Sequence, residues 1–185
     1  MNPDDVLSFW FGEQREVRAE WFRKDAEFDT QISTKFLATV EAAAQGELNH
    51  WLETPLHSLA YIILLDQFPR NIFRNSARSF AYDHLALQAA KNMIHAGLNT
   101  QLQTLEQLFI YLPLEHSENL ADQELTLSLM SQWQNEPQLQ GFYDYAVKHH
   151  AVIQRFGRFP HRNALLGRSS TAEELSYLTL PGSGF

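Results

Sequence analysis

The sequence predicts an all-α fold, a stack of antiparallel helical hairpins made of about seven to eight helices. Apolar residues recur at helical spacing almost throughout, and no period-2 stretch is long enough for a strand. Cap, proline and glycine signals cut the chain into helix-length pieces joined by short turns, which places neighbouring helices antiparallel.

Asn2-Pro3 is a cap followed by a first-turn proline and opens a short helix carrying Val6, Leu7, Phe9 and Trp10, stopped by Gly12. A long helix starts near Asp25, with a stripe of Phe28, Ile32, Phe36 and Val40, and ends before Gly46. Thr54-Pro55 repeats the opening signal before the most apolar run of the chain, Leu59 to Leu65, which is expected to be central and to stop at Phe68-Pro69. Ser76 or Asn75 caps a fourth helix through Phe80, Leu87, Ala90 and Ile94, ending at Gly97. The fifth covers about Leu102 to Leu112, where Pro113 breaks or kinks it. The sixth starts at Ser117 with Glu118 and carries Leu120, Leu125, Leu129 and Trp133, and the seventh runs from Glu136-Pro137 to about Phe156. Ser170-Thr171-Ala172-Glu173 has capping-box form before a last short helix with Leu175 and Leu178. A single domain is expected over 1–180, with 181–185 a flexible tail.

Composition narrows the function classes. Hydrophobic residues make up 44% of the 185 and charged residues only 19%, enough apolar surface to offset chain entropy and argue against disorder. Cysteine is absent, so disulfides, thiolate metal sites and a cysteine nucleophile are excluded and a cytoplasmic location is expected. The acidic start and an apolar run of only seven residues, 59–65, predict neither a signal peptide nor a membrane span. A net charge of −8 argues against nucleic acid or an anionic membrane as a partner. Phosphate-loop, dinucleotide, nucleophile-elbow and kinase motifs are all missing, and no cofactor or metal is expected.

Charge is segregated along the second half. Seven acids and no Lys or Arg lie between Asn92 and Val147; five basic residues and no acid lie between Tyr145 and Ala172. The acidic bend should therefore pack on the basic stretch, with Arg155, Arg158 or Arg162 contacting Glu115, Glu118 or Asp122, and with Asp66 sharing the recess. Glu115, His116, Glu118 and Asp122 form the densest run of ionisable groups, able to act as acid and base or, more weakly, to hold a cation. Asp66 closes the apolar helix and can accept from Arg70, Asn71 or the Arg158/Arg162 pair. Arg155, Arg158, His161 and Arg162 alternate with aromatic residues, and two or three arginines near Ser170 could hold one phosphate or carboxylate. His149 and His150 are expected to be one exposed and one half-buried. Phe68-Pro69-Arg70-Asn71 and Phe159-Pro160-His161-Arg162-Asn163 echo one another, although no strict repeat of about 34 residues emerges.

Leu65-Asp66-Gln67-Phe68-Pro69-Arg70-Asn71, Tyr111-Leu112-Pro113-Leu114-Glu115-His116-Ser117-Glu118 and 155–163 with Leu166-Gly167-Arg168 and Ser170-Thr171, together with 6–11, resemble a bacterial family known as domain of unknown function 924. The resemblance spans nearly the whole chain and implies an all-helical, tetratricopeptide-like fold; it implies no catalytic residues. From the residues, the first expectation is a binding module taking a peptide or small anionic ligand. Its polar floor would be Asp66, Arg70, Glu115, His116, Glu118, Asp122, Arg155, Arg158, His161 and Arg162, with Trp10, Phe11, Trp21 and Phe22 extending it or, for most of them, lying in the core. The alternatives are a metal-assisted or acid–base hydrolase on the Glu115/His116/Glu118 cluster, and a structural protein whose charged corner is wholly self-paired. Oligomeric state has no signature in the sequence.

Overall fold

Thr54 accepts the backbone N–H of His57 and Pro55 needs no acceptor, so a helix starts there. It is the most buried one of the protein. In the computed structural model, which describes residues 1–13 and 15–184, every side chain from Ser58 to Pro69 on this helix is buried. The described residues form eight α-helices and no strand. They fall into two units, Met1–Pro113 and Leu114–Phe185, the last residue of which lies outside the described set.

Unit 1 contains α1 (Pro3–Phe11), α2 (Ala26–Ala44), α3 (Pro55–Ile72), α4 (Asp83–His95) and most of α5 (Thr104–Glu115). Helices α1, α2 and α4 all pack on α3. Burial on all sides explains why α3 reads as a continuous apolar run instead of a stripe. Helix α1 opens with the expected Asn2 cap, closed into a box by Asp5, and α2 opens on Asp25, whose carboxylate accepts from Glu27 and Phe28 and is held below its ordinary value chiefly by the Phe28 N–H. Phe9, Trp10, Phe11, Trp21, Phe28, Phe36, Phe68 and Phe109 form one aromatic cluster with ring separations of 4.9–6.3 Å. Trp10 and Phe11 are thus core, Trp21 is half-buried and Phe22 is exposed.

Two boundaries in unit 1 differ from expectation. Helix α3 does not stop at Phe68-Pro69 but continues to Ile72, with Phe73 donating to the Pro69 carbonyl. Proline cannot donate to residue 65, yet the surrounding aromatic packing holds the last turn in place. Ser76 caps a 3₁₀ turn, Ala77–Phe80, and α4 begins only at Asp83.

Unit 2 contains the end of α5, α6 (Leu120–Met130), α7 (Gln140–Phe156) and α8 (Ala172–Leu178). Helix α6 packs on α7, and a small apolar core joins Val152, Ile153 and Phe159 with Phe156 and Tyr177. Here four expected boundaries move. Pro113 lies inside α5, which reaches Glu115. Asn119 caps α6, its side chain accepting from the Ala121 N–H, while the Ser117 hydroxyl accepts from the Asn119 N–H and donates to the Asp122 carboxylate at 2.7 Å. Helix α7 starts at Gln140; Glu136 instead closes a turn, its carbonyl accepting from Leu139 and Gln140. The capping box of α8 is Thr171 with Glu174, one residue later than Ser170 with Glu173. In the segment 181–184, Ser183 is buried and its hydroxyl donates to the Leu178 carbonyl at 3.1 Å.

Candidate functional site

Gly157 ends α7 in the left-handed conformation, φ +66°, with its N–H on the Ile153 carbonyl. The chain then turns through Phe159 into a 3₁₀ turn, Pro160–Arg162, that carries His161 and Arg162. Phe159 is wholly buried and becomes the hub of a polar cluster. The His149 ring stands edge-on to it at 5.5 Å, the His161 ring lies at 5.6 Å, and the Arg162 guanidinium sits 4.5 Å from its centroid. His116, just after α5, approaches His149 with ring centroids 6.3 Å apart. Gln123 holds that bend, its side-chain amide donating to the carbonyls of Glu115 and Ser117.

The cluster is electrostatically uneven. His149 is buried on the inner face of α7, with Nδ1 2.9 Å from a Glu115 carboxylate oxygen and 3.0 Å from the Tyr145 carbonyl. Both neighbours are acceptors, so Nδ1 carries a proton. The imidazole of His161 is pushed down to about 3, first by burial, then by Arg162 and His149, with His116 adding and Glu118 opposing. His161 is therefore neutral at physiological pH and lies in a local positive field, although the whole chain is acidic.

Most of the arginines expected at the site have carboxylates of their own. Glu118 receives both Arg168 amino groups at 2.6 and 2.9 Å and the Phe159 N–H at 2.7 Å. Burial works against its charge, but Arg168 and the Phe159 amide outweigh it and hold the carboxyl below its ordinary value. Arg158 does not turn to Glu115, Glu118 or Asp122 as expected; it grips Glu174 with two bonds of 2.6 and 2.7 Å. Glu174 also accepts from Thr171 and Asn163, and its pKa falls to about 2, mainly through Arg158. Arg155 likewise pairs with Glu173 at 2.8 Å. Arginines that were expected to hold one phosphate or carboxylate are thus met by two separate carboxylates from the first turn of α8.

The acidic bend and the basic stretch do meet within unit 2, through Glu118 with Arg168 and Phe159. Asp66 and Arg70 belong to unit 1. There Arg70 is 3.4 Å from the Asp66 carboxylate and bidentate to Asp83 at 2.8 and 2.9 Å. Burial opposes the Arg70 charge, yet Asp66 and Asp83 raise its pKa. Asn71 turns to Asp29 instead of Asp66, beside Arg74. Among the described residues no three His, Asp or Glu side chains converge as a metal-binding set.

Three participants were not foreseen as site residues: His149, Arg168 and Glu174. His149 had a signal, since position 149 lies three or four residues from Ala146, Val152 and Ile153 on the buried face of α7. Glu174 was hidden by the one-residue shift of the capping box.

Comparison with known proteins agrees with the helical architecture. A solved structure of a protein of unknown function from Agrobacterium tumefaciens is 38% identical, with a TM-score of 0.87, covering 95% of this chain and 96% of that one. Comparison with curated proteins gives no match. The model of a family described as bacterial protein of unknown function, DUF924, matches residues 6–182. The chain belongs to that family.

Proposed function

We propose that unit 2 is a binding module for a small anionic ligand, held by Arg162 with His116, His149 and His161 around Phe159. The observation that carries this reading is the convergence of one buried guanidinium and two imidazoles on a single buried ring, with a third imidazole, His116, beside His149. A bound anion would offset the positive charge of Arg162 and His149, which adds to burial in keeping His161 neutral.

Arg155, Arg158 and Arg168 serve the scaffold in this reading, as do Asp66 and Arg70 in unit 1; each arginine has its own carboxylate. The self-paired corner expected as an alternative thus accounts for Arg155, Arg158 and Arg168. Glu118, engaged by Arg168, is poorly placed to serve the hydrolase alternative. We further propose a cytosolic setting, supported by the cysteine-free sequence, and tetratricopeptide-like hairpins, supported by the packing of α2 and α4 on α3.

The test is titration of the intact protein with inorganic phosphate and with sulfate, read by calorimetry and by melting temperature. Saturable binding is expected, with stabilisation of about 2.7 kcal/mol when the anion reaches a hundred times its Kd. Arg162→Gln should weaken binding at least about tenfold while circular dichroism stays helical. Absence of saturation by either anion below about 10 mM would end the proposal.

A further inference from the structure

We propose that unit 1 carries a binding site of its own, a cavity of about 110 Å³ that takes a compact neutral molecule, apolar except for one hydroxyl or carbonyl held by Ser58. The cavity lies where the first turn of α3 meets the second half of α4, beside the 3₁₀ turns Asn49–Glu53 and Leu98–Gln101. Leu52, Ala89, Met93 and Leu98 supply its apolar wall, and Ser58 and Asn92 are the polar residues in it. Two small side chains, Ser58 on α3 and Ala89 on α4, line it from either helix, so neither fills the space between them. Leu52 and Asn92 are exposed and mark the entrance.

Ser58 is the informative residue. Only 1% of its surface is exposed, yet among the described residues no hydrogen bond reaches its hydroxyl. Its polar neighbours on the buried stretch of α3 do have partners: the Tyr61 hydroxyl donates to the Ala43 carbonyl, and the Gln67 amide donates to Asp66. A helical hydroxyl can also bond the carbonyl four residues back, as Thr126 does with Asp122, but Ser58 does not. A buried hydroxyl in this state is destabilising unless something from outside the chain bonds it. Water answers only part of that need. A buried water makes about three hydrogen bonds, and this wall offers Ser58 and the Asn92 amide, whose oxygen already accepts from Gln88 at 2.8 Å. The rest of the volume is apolar and poorly hydrated, a condition under which entry of an apolar group is favourable. Size and charge define the class. A cavity of about 150 Å³ holds the ring of benzene, so this one holds about four or five non-hydrogen atoms. No charged residue lines the wall, and an ion would lose its hydration there without a counter-charge.

The test is isobutanol, which has this size, against isobutyrate, its carboxylate counterpart. Each is titrated into the intact protein at neutral pH and read by NMR at the Met93 methyl and the Ser58 and Leu98 amides. Reading at the cavity keeps the result separate from any anion held in unit 2. Isobutanol should give saturable shifts there with a Kd below about 10 mM, and isobutyrate none. Ser58→Ala should weaken isobutanol about tenfold and leave xenon, which needs no hydrogen bond, binding as before. Ala89→Leu should fill the space and abolish binding of both. No saturation by isobutanol below about 100 mM, or shifts confined to residues outside this wall, would overturn the proposal. Isobutyrate binding at the cavity as tightly as isobutanol would overturn it as well, and so would an isobutanol affinity unchanged by Ser58→Ala. The contrast between the two probes in the unaltered protein decides the matter even where a variant fails to fold.

Discussion

Phe68 in unit 1 and Phe159 in unit 2 stand in the same short echo, Phe-Pro followed by a basic residue and an asparagine, yet they have different company. Phe68 touches the rings of Phe9, Trp10 and Phe36 at 4.9–6.3 Å, whereas Phe159 is surrounded by two imidazoles and a guanidinium. The local cause is Gly157. Two residues before Phe159 it ends the helix in a left-handed turn, freeing backbone groups that Glu118 and Arg168 then bind; before Phe68 there is no such stop, and Pro69 is carried along inside α3. The same dipeptide therefore anchors an apolar core in one unit and a charged cluster in the other. Unit 1 depends on buried aromatic area, and unit 2 on paired charges over a smaller core.

The sharpest way to break this contrast is to remove a ring from unit 1. Phe68→Ala should destabilise by about 3–5 kcal/mol, the cost of lost transfer energy and a cavity among packed rings, measured by urea unfolding. In unit 2 the corresponding experiment is a double-mutant cycle on Glu118 and Arg168. Their side chains are about one-quarter exposed, so a coupling of about 1–2 kcal/mol is expected, and additive single effects would show that the pair contributes little.

Acidification should act on unit 2 through Glu174 and His161. Glu174 titrates near 2 in the folded protein against an ordinary value of 4.5, so its stabilising effect is complete above 4.5 and is lost as pH falls from there toward 2. Glu174→Gln should flatten that limb of the melting curve. His161 is a base whose pKa is lowered from 6.5 to about 3, so protonation favours the unfolded chain and stability also declines as pH falls below 6.5. Between 6.5 and 4.5, then, His161→Asn should remove a slope that Glu174→Gln leaves in place. A shift of roughly 2–4 °C, about 1 kcal/mol for a chain of this length, is the expected scale.

The helices of unit 1 were readable because each signal acts over a few residues: Asn2 with Pro3, Asp25, and Thr54 with Pro55 all cap as their sequence suggests. Of the two boundaries that differ there, Pro69 failed as a stop because tertiary packing outweighs a single lost hydrogen bond. In unit 2 the meeting of acidic bend and basic stretch was readable from charge segregation alone, but the partners were not. Arg158 faces a choice among several carboxylates, and the choice depends on the register of α8, which turns on whether Ser170 or Thr171 caps it. Segregation of charge along a sequence constrains which segments meet; the geometry of a bidentate pair is fixed only once a helix start is fixed to the residue.

That dependence gives the smallest but most pointed test. Asn2 and Thr171 head capping boxes of the same form, with Asp5 and Glu174 at the third helical position. Asn2 is exposed and its box satisfies only local backbone groups, so Asn2→Ala should cost about 0.5 kcal/mol, at the low end for a cap. Thr171 sets the register that aims Glu174 at Arg158 and Asn163, so Thr171→Ala should cost more, about 1 kcal/mol, and should also weaken the pH dependence below 4.5. If the two substitutions cost the same and leave the acid limb alike, the register of α8 is held by packing and not by its cap, and the charges of unit 2 follow from the fold instead of helping to fix it.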